Sequence, residues 1–553
     1  MHKQPGLLVK LQRRVQKWWW GIVADWRLVR LTRQVAGNAR PTSELQPVAF
    51  FNASSRLTGL SLNAAFTFLT ACGVQITGIP VVYFGCHAGM SRCVLGTNRD
   101  DHTEPPPCKE CISQSKNLFG HTPIVWFEYT QDDNLADALR GLSVEKLSAF
   151  EYSFSLGNRS STNILLPVGQ LVLPSLRWAL RRHHLLDNEA TRFQFREYIL
   201  SAVKLAEEFV KFLDQIKPSV VVIFNGIMFP EATAKWIADH KGVQVVTHEV
   251  GFQPFSGFYT NEQATAYPIH ILDEFALSTE QNARLNAYLE KRFQGEFTMA
   301  GIRFWPEMSD LEEGFLQQAE QFKQVVPVFT NVVYDTSQVH ANVVFPHMFA
   351  WLDLILEIIR DHPDTLFVIR AHPDEMRPGT KKQSRESVQA WVEEKRIAKL
   401  PNVVFINSQE YLSSYELIQR SKFVMMYNSS IGLEAALMGS MVLCGGKARF
   451  TQYPTVEFPT SPEEYREKAE QFLSVWGRIE APAEYSENAR RFLYYQLYKA
   501  SLSFGDFLEN LPRPGYVRLQ SFAWQQLSPE YSQTIRILVD GILHDKPFIV
   551  EEA

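Results

Sequence analysis

The chain has 553 residues, more than one hydrophobic core ordinarily holds, so two large domains are expected. A hydrophobic share of 45%, a charged share of 21% and a net charge of −5 describe an ordinary globular protein and exclude a general nucleic-acid binder, which would carry a basic domain. There is no run of ~18 apolar residues to span a membrane, no signal-peptide layout, and too few cysteines (six) for a disulfide scaffold; a reduced, cytoplasmic setting is expected.

Residues 1–45 form a basic, tryptophan-rich amphipathic segment. Lys10, Arg13, Arg14, Lys17, Arg27 and Arg30 are interleaved with Leu7, Leu8, Val15, Ile22 and Leu28, and Trp18, Trp19 and Trp20 sit in the middle. Such a helix suits a membrane interface, with cations on anionic lipid and indoles at the headgroup level. It suits equally a helix packed on the protein's own surface with its basic face in water.

From Val48 the pattern becomes α/β. VAFFNAS (48–54) and PVVYFG (80–85) read as strands around the helix LSLNAAFTFLTACG. A long helix around 188–215, then VVVIFN (220–225), the helix EATAKWIADHKG and QVVTHEV (244–250) continue the rhythm. A second series begins with VVPVFTNVV (325–333), a helix at 346–361, TLFVIRAHP (365–373) and NVVFI (402–406). It closes with KFVMMYNSS (422–430), IGLEAALMG (431–439) and MVLCGG (441–446). Continuous apolar strands alternating with helices imply parallel sheets buried on both faces. The expected fold is two facing Rossmann-like domains, 46–300 and 301–485, with a Cys-rich insertion (86–111) in the first. A helical segment, 486–553, is expected to pack across the lobes.

Open α/β sheets bind ligands at the carboxyl ends of their strands. Arg370, His372, Asn428, Ser429 and Ser430 fall at such ends in the second domain. The turn SSIG, with Gly432, opens a helix whose N–H groups would seat a diphosphate. His372 would donate to a phosphate oxygen, Glu434 would accept from ribose hydroxyls one turn further on, and Gly445 and Gly446 would let backbone approach a ligand. A lone His-Pro turn or a Ser N-cap explains each motif singly; together they point to a nucleotide site.

IRAHP, YNSSIGLEAALMG and VLCGG resemble the donor lobe of bacterial capsule polysaccharide biosynthesis glycosyltransferases, which have the two-Rossmann GT-B fold. The resemblance implies that His372, Ser429, Ser430 and Glu434 bind a nucleotide sugar. GCHAGMSRCVLGTN, PPPCKEC, VIFNGIMFPEA and THEVGFQP are similar to segments of surface-polysaccharide proteins. The expected activity is transfer of a sugar to a glycan or lipid-linked acceptor, peripheral on the inner face of the cell membrane. Polyol-phosphate transfer, nucleotide-sugar epimerisation or hydrolysis, and a non-catalytic nucleotide-sugar-binding role are the alternatives.

Direct displacement needs a base for the acceptor hydroxyl. Glu249 is the first candidate and His248 the second, at the end of QVVTHEV; Asp335, just after the first strand of the second domain, is a third that would face the cleft, and Asn225 and Glu231 in FNGIMFPE are candidates at another strand end. Ser54, Ser55 and Gly59 are expected along the cleft. The basic stretch Arg177, Arg181, Arg182, His183 and His184 would meet an anionic acceptor or line a solvated helix. Cys86, Cys93, Cys108 and Cys111, spaced C-x6-C-x14-C-x2-C, suit a structural Zn²⁺ or an iron–sulfur cluster, with His87 as a substitute ligand. Reduced, unligated cysteines are the plainer reading. No DxD motif stands at a strand end, so no catalytic divalent cation is expected.

Overall fold

The computed structural model describes residues 26–42, 44–52, 59–157, 163–294, 308–376, 383–511 and 515–552. Trp18, Trp19, Trp20, Ser54 and Ser55 lie outside them. In chain order the first half contributes β1 (Val48–Asn52), β2 (Leu60–Ser61), β3 (Val81–Cys86), β4 (Ile124–Phe127), β5 (Tyr152–Ser155), β6 (Asn163–Leu166), β7 (Val220–Phe224), β8 (Gln244–Val250) and β9 (Ser256–Thr260). The second half adds β10 (Gln324–Phe329), β11 (Thr365–Arg370), β12 (Val403–Ile406), β13 (Val424–Met426), β14 (Val442–Cys444), β15 (Leu502–Ser503), β16 (Leu508–Asn510) and β17 (Tyr516–Leu519).

One sheet runs β15-β9-β8-β7-β1-β3-β4, with β8, β7, β1, β3 and β4 mutually parallel. The other runs β12-β11-β10-β13-β14 and is wholly parallel. In each, the chain starts at the centre, runs out to one edge and returns to the other side. That reversal leaves a crevice at the carboxyl ends of the central strands.

The apolar runs in these strands follow from cover on both sides. Val48, Phe50 and Val222 point into a core shared with helices Leu62–Ile76 and Gln533–His544. Their neighbours Ala49, Phe51 and Ile223 point the other way, onto helix Glu189–Ile216. The second sheet is covered likewise, Val328 facing the core built on helix Met348–Asp361 and Phe329 the opposite core. Successive side chains on a strand alternate faces, so these strands have no polar side.

The last seventy residues divide between the lobes. Ala489, Phe492 and Leu497 belong to a core of the second lobe, whereas Leu502, Phe504, Phe507, Ile535 and Phe548 belong to the first. There β15 adds antiparallel to β9, and β17 pairs with β2. Helix Gln533–His544 packs on helix Leu62–Ile76 so closely that a Cβ on Gly73 would lie 2.7 Å from Ile535 Cγ2. The amino-terminal helix over 26–38 is also fastened to the first lobe. Leu28, Leu31 and Val35 are buried there, and Arg27 donates to Glu509 at 2.9 Å and to the Leu519 carbonyl at 2.6 Å. This described part of the segment packs on the protein's own surface. Among the described residues, no helix is long and apolar enough to cross a membrane.

Candidate functional site

The carboxyl ends of both sheets open onto one cleft of about 900 Å³. From the first lobe, Asn63, Glu249, Thr265 and Tyr267 line it; from the second come Asn331, Asp335, His340, His372, Asn428, Ser429, Ser430, Lys447 and Arg449.

Glu249 is held by three donors. Its Oε1 accepts from Asn63 Nδ2 at 3.1 Å and from the Val250 amide at 2.8 Å, and its Oε2 accepts from Asn225 Nδ2 at 2.6 Å. Asn225 reaches it from the end of β7 because its backbone adopts φ 63°, a left-handed conformation that Asn tolerates better than most residues. Burial pushes the Glu249 carboxyl above its ordinary value; the three donors oppose that shift, and the nearby Asp335 charge adds to it. The result is a fixed carboxylate with raised proton affinity, facing the cleft.

His248, the neighbouring residue on β8, points to the other side. It is fully buried, its Nε2 lies 2.8 Å from Thr67 Oγ1, and burial pushes it down to about 3. It does not line the cleft, so the expectation that it could serve as a base is corrected: of two adjacent strand residues only one faces a given side. Glu231 is also buried, in helix Phe229–His240, away from the cleft.

On the facing wall, the Asp374 amide donates to His372 Nδ1 at 3.1 Å, so neutral His372 carries its proton on Nε2. Asn428 Oδ1 accepts from Asn331 Nδ2 at 2.7 Å and Gln338 Nε2 at 3.2 Å, tying the ends of β10 and β13 together. Ser429 and Ser430 follow. Lys447 is exposed at the cleft, while Arg449 is wedged against Phe252, its guanidinium carbon 4.3 Å from the ring centroid. Burial lowers Arg449, and Tyr267 and Asp335 partly restore it. Sequence reasoning missed Lys447, Arg449, Asn331 and His340. The signal for the first two was present in GGKAR, cations directly after a strand-end glycine pair.

Several expected residues take other places. Arg370 ends β11 buried at 3% exposure and is not on the cleft wall; burial pushes it down to about 10. Gly432 packs under Met426, on a helix of only seven residues. Glu434 is 5% exposed, its Oε1 bonded to Arg292 at 2.5 Å and its Oε2 to the Tyr415 hydroxyl at 2.5 Å. Both its oxygens are engaged in the interior, so the ribose-binding expectation is corrected to a buried ion pair. Removing one partner of such a pair leaves a stranded charge. Arg292→Ala is therefore expected to lower stability by about 3–5 kcal/mol in a denaturant titration.

Gly445 and Gly446 are small for packing reasons. A Cβ on Gly445 would sit 2.3 Å from Trp351 Nε1, and one on Gly446 2.9 Å from Tyr427 Cζ. Gly445→Ala is expected to cost ~1–3 kcal/mol by overpacking and to lower the melting temperature. Gly59 lies under the Tyr516 ring, outside the cleft wall. The basic stretch 177–184 is not on the cleft wall, and of its five basic residues only His184 is exposed. Arg181 is 8% exposed, stacked on Trp178 and Tyr334, and the His183 and His184 amides donate to Glu386 of the second lobe at 2.7 and 2.9 Å.

The four clustered cysteines lie beside the first lobe, apart from the cleft, and none is in a disulfide. Cys86 is within electrostatic reach of Cys93, Cys108 and Cys111.

Residues 308–468 match the family model of capsule polysaccharide biosynthesis proteins, and the resemblance read from the sequence holds over that stretch. No curated protein matches the sequence. Among solved structures, the β-Kdo 2,4-transferase of Thermosulfurimonas dismutans KpsC is similar at 12% identity, over 58% of this chain and 87% of that one, with TM-score 0.35. The β-Kdo 2,7-transferase of the same protein is similar at 13% identity, over 57% and 85%, with TM-score 0.31. The UDP-GlcNAc 2-epimerase of Neisseria meningitidis is similar at 14% identity, over 53% and 80%, with TM-score 0.24.

Proposed function

We propose, from a second lobe matched to capsule polysaccharide biosynthesis proteins, that the chain is a glycosyltransferase using a nucleotide-sugar donor. The observation carrying this reading is the division of the cleft: a carboxylate with raised proton affinity on one lobe faces donors and cations on the other. Glu249 takes the proton of the acceptor hydroxyl as the hydroxyl oxygen bonds to the sugar's anomeric carbon. The bond from that carbon to the nucleotide's terminal phosphate oxygen breaks, and the electron pair leaves with the nucleotide. His372 Nε2–H, the Ser429 and Ser430 hydroxyls and Lys447 offset the charge that grows there. The nucleotide lies over the ends of β10 and β13, where Asn331 and Asn428 are fixed against each other. The acceptor, a glycan or lipid-linked saccharide at the inner membrane face, enters beside Asn63 and Tyr267.

A thermal-shift panel of CMP, UDP, GDP, ADP and TDP with their sugar conjugates tests the donor half. A ligand at 100 times its Kd adds about 2.7 kcal/mol to the folded state. One nucleotide family is expected to raise the melting temperature. No shift from any of them would sink the reading.

A further inference from the structure

We infer that the outward side of the amino-terminal helix, built on Trp26, Arg30 and Arg33, docks the protein on an anionic lipid surface. The helix over 26–38 has two unlike sides. Leu28, Leu31 and Val35 recur at the three-to-four-residue interval that keeps side chains on one face, and they are buried in the first lobe. Trp26, Arg30 and Arg33 recur at the same interval on the opposite face and are exposed, Trp26 at 59%. Arg40, just beyond the helix, is exposed as well.

Two features separate this stripe from an ordinary solvated face. The first is the state of its cations. Arg27, at the edge of the stripe, is spent on Glu509, whereas among the described residues no carboxylate pairs with Arg30, Arg33 or Arg40. The second is the indole. The Arg30 guanidinium carbon lies 5.3 Å from the centroid of the Trp26 ring, so a cation and a large amphipathic ring are presented side by side. At a lipid–water boundary both find partners: the cation meets phosphate headgroups and the indole lodges at their level.

The distribution of charge sets the orientation. The first 43 residues hold nine Lys and Arg and a single acidic residue, Asp25. The whole chain holds 55 Lys and Arg against 60 Asp and Glu, so the remainder is strongly acidic and is repelled by an anionic bilayer. This pole is attracted, and the protein docks with it foremost.

The stripe is joined to the mouth of the cleft by one short strand. Arg27 donates to the carbonyl of Leu519, the last residue of β17. The first, Tyr516, pairs with Ser61, and Ser61 and Gly515 border the cleft beside Asn63. Four strand residues span about 10 Å. A bilayer against the stripe therefore lies close to the side at which the acceptor enters. That last step rests on the proposed transfer reaction; the docking does not.

The test is co-sedimentation of the full chain at low salt with two kinds of vesicle, phosphatidylcholine alone and an equimolar mixture of phosphatidylcholine and phosphatidylglycerol. Binding is expected to the mixed vesicles alone and should fall as salt is raised. Each arginine near an anionic surface is worth about fivefold in partition, so Arg30→Gln/Arg33→Gln should weaken binding roughly 25-fold with an unchanged melting temperature. Trp26→Ala should weaken it while leaving its salt dependence in place. Three results overturn the proposal: no binding to either vesicle, equal binding to both, or undiminished binding of the double variant, which would put the contact elsewhere in the chain. None of them bears on the nucleotide panel, so the donor reading and the docking fail separately.

Discussion

Glu249→Gln is expected to lower kcat by about 10²–10⁴-fold while leaving nucleotide binding nearly unchanged. The amide oxygen can still accept from Asn63 and the Val250 amide, but its NH2 group then meets the Asn225 Nδ2 donor, so a stability loss of about 1–3 kcal/mol accompanies the change. What disappears is the ability to take a proton from the acceptor hydroxyl. The pH profile gives an independent check. A general base acts only when deprotonated, and burial together with the Asp335 charge raises the Glu249 carboxyl above its ordinary value. Activity in the wild type should therefore rise with pH through a midpoint above the ordinary glutamate value, and Asp335→Asn should move that midpoint down. A Gln variant with wild-type turnover would remove Glu249 from the mechanism and favour a retaining reaction.

His372→Ala is expected to lower kcat/KM by about 10²–10³-fold, the loss of roughly 2.7–4 kcal/mol of stabilisation seen when one charge-stabilising donor is deleted. The Asp374 amide fixes Nδ1 as the acceptor, so a neutral imidazole carries its proton on Nε2, the atom assigned to the leaving phosphate. The same variant should lose most of the thermal shift given by the preferred nucleotide. Loss of the shift without loss of turnover would mean that the histidine binds donor but does not stabilise charge in the transition state.

The alternation of strand and helix was legible because strands buried on both faces are written as unbroken apolar runs, as in VVVIF and LFVIR. The cleft was legible in outline because its residues lie at the ends of those runs. Partnering was not. Glu434 stands one helical turn beyond Ser430, and nothing local reveals that Arg292, 142 residues away, and Tyr415 hold both its oxygens in the interior. Arg370 and His372 are two apart, yet β11 stops at Arg370 and the following turn separates their directions. Gly445 and Gly446 read as room for a ligand, when Trp351 and Tyr427 occupy that room. The choice between His248 and Glu249 needed only the alternation of the strand, once one face was known to be core.

The strand β15 has a consequence for synthesis. Some 240 residues separate Thr260, at the end of β9, from Leu502, which pairs with that strand. At ~5–20 residues per second the ribosome takes about 12–50 s to deliver the partner. During that interval the edge of β9 is unpaired, and the face that Phe504, Leu508 and Ile535 later cover is bare. An open strand edge beside apolar surface is the form in which nascent chains associate wrongly. The first lobe therefore matures after the second has been made, and a chain released early, at the boundary between the lobes, would be a substrate for chaperones.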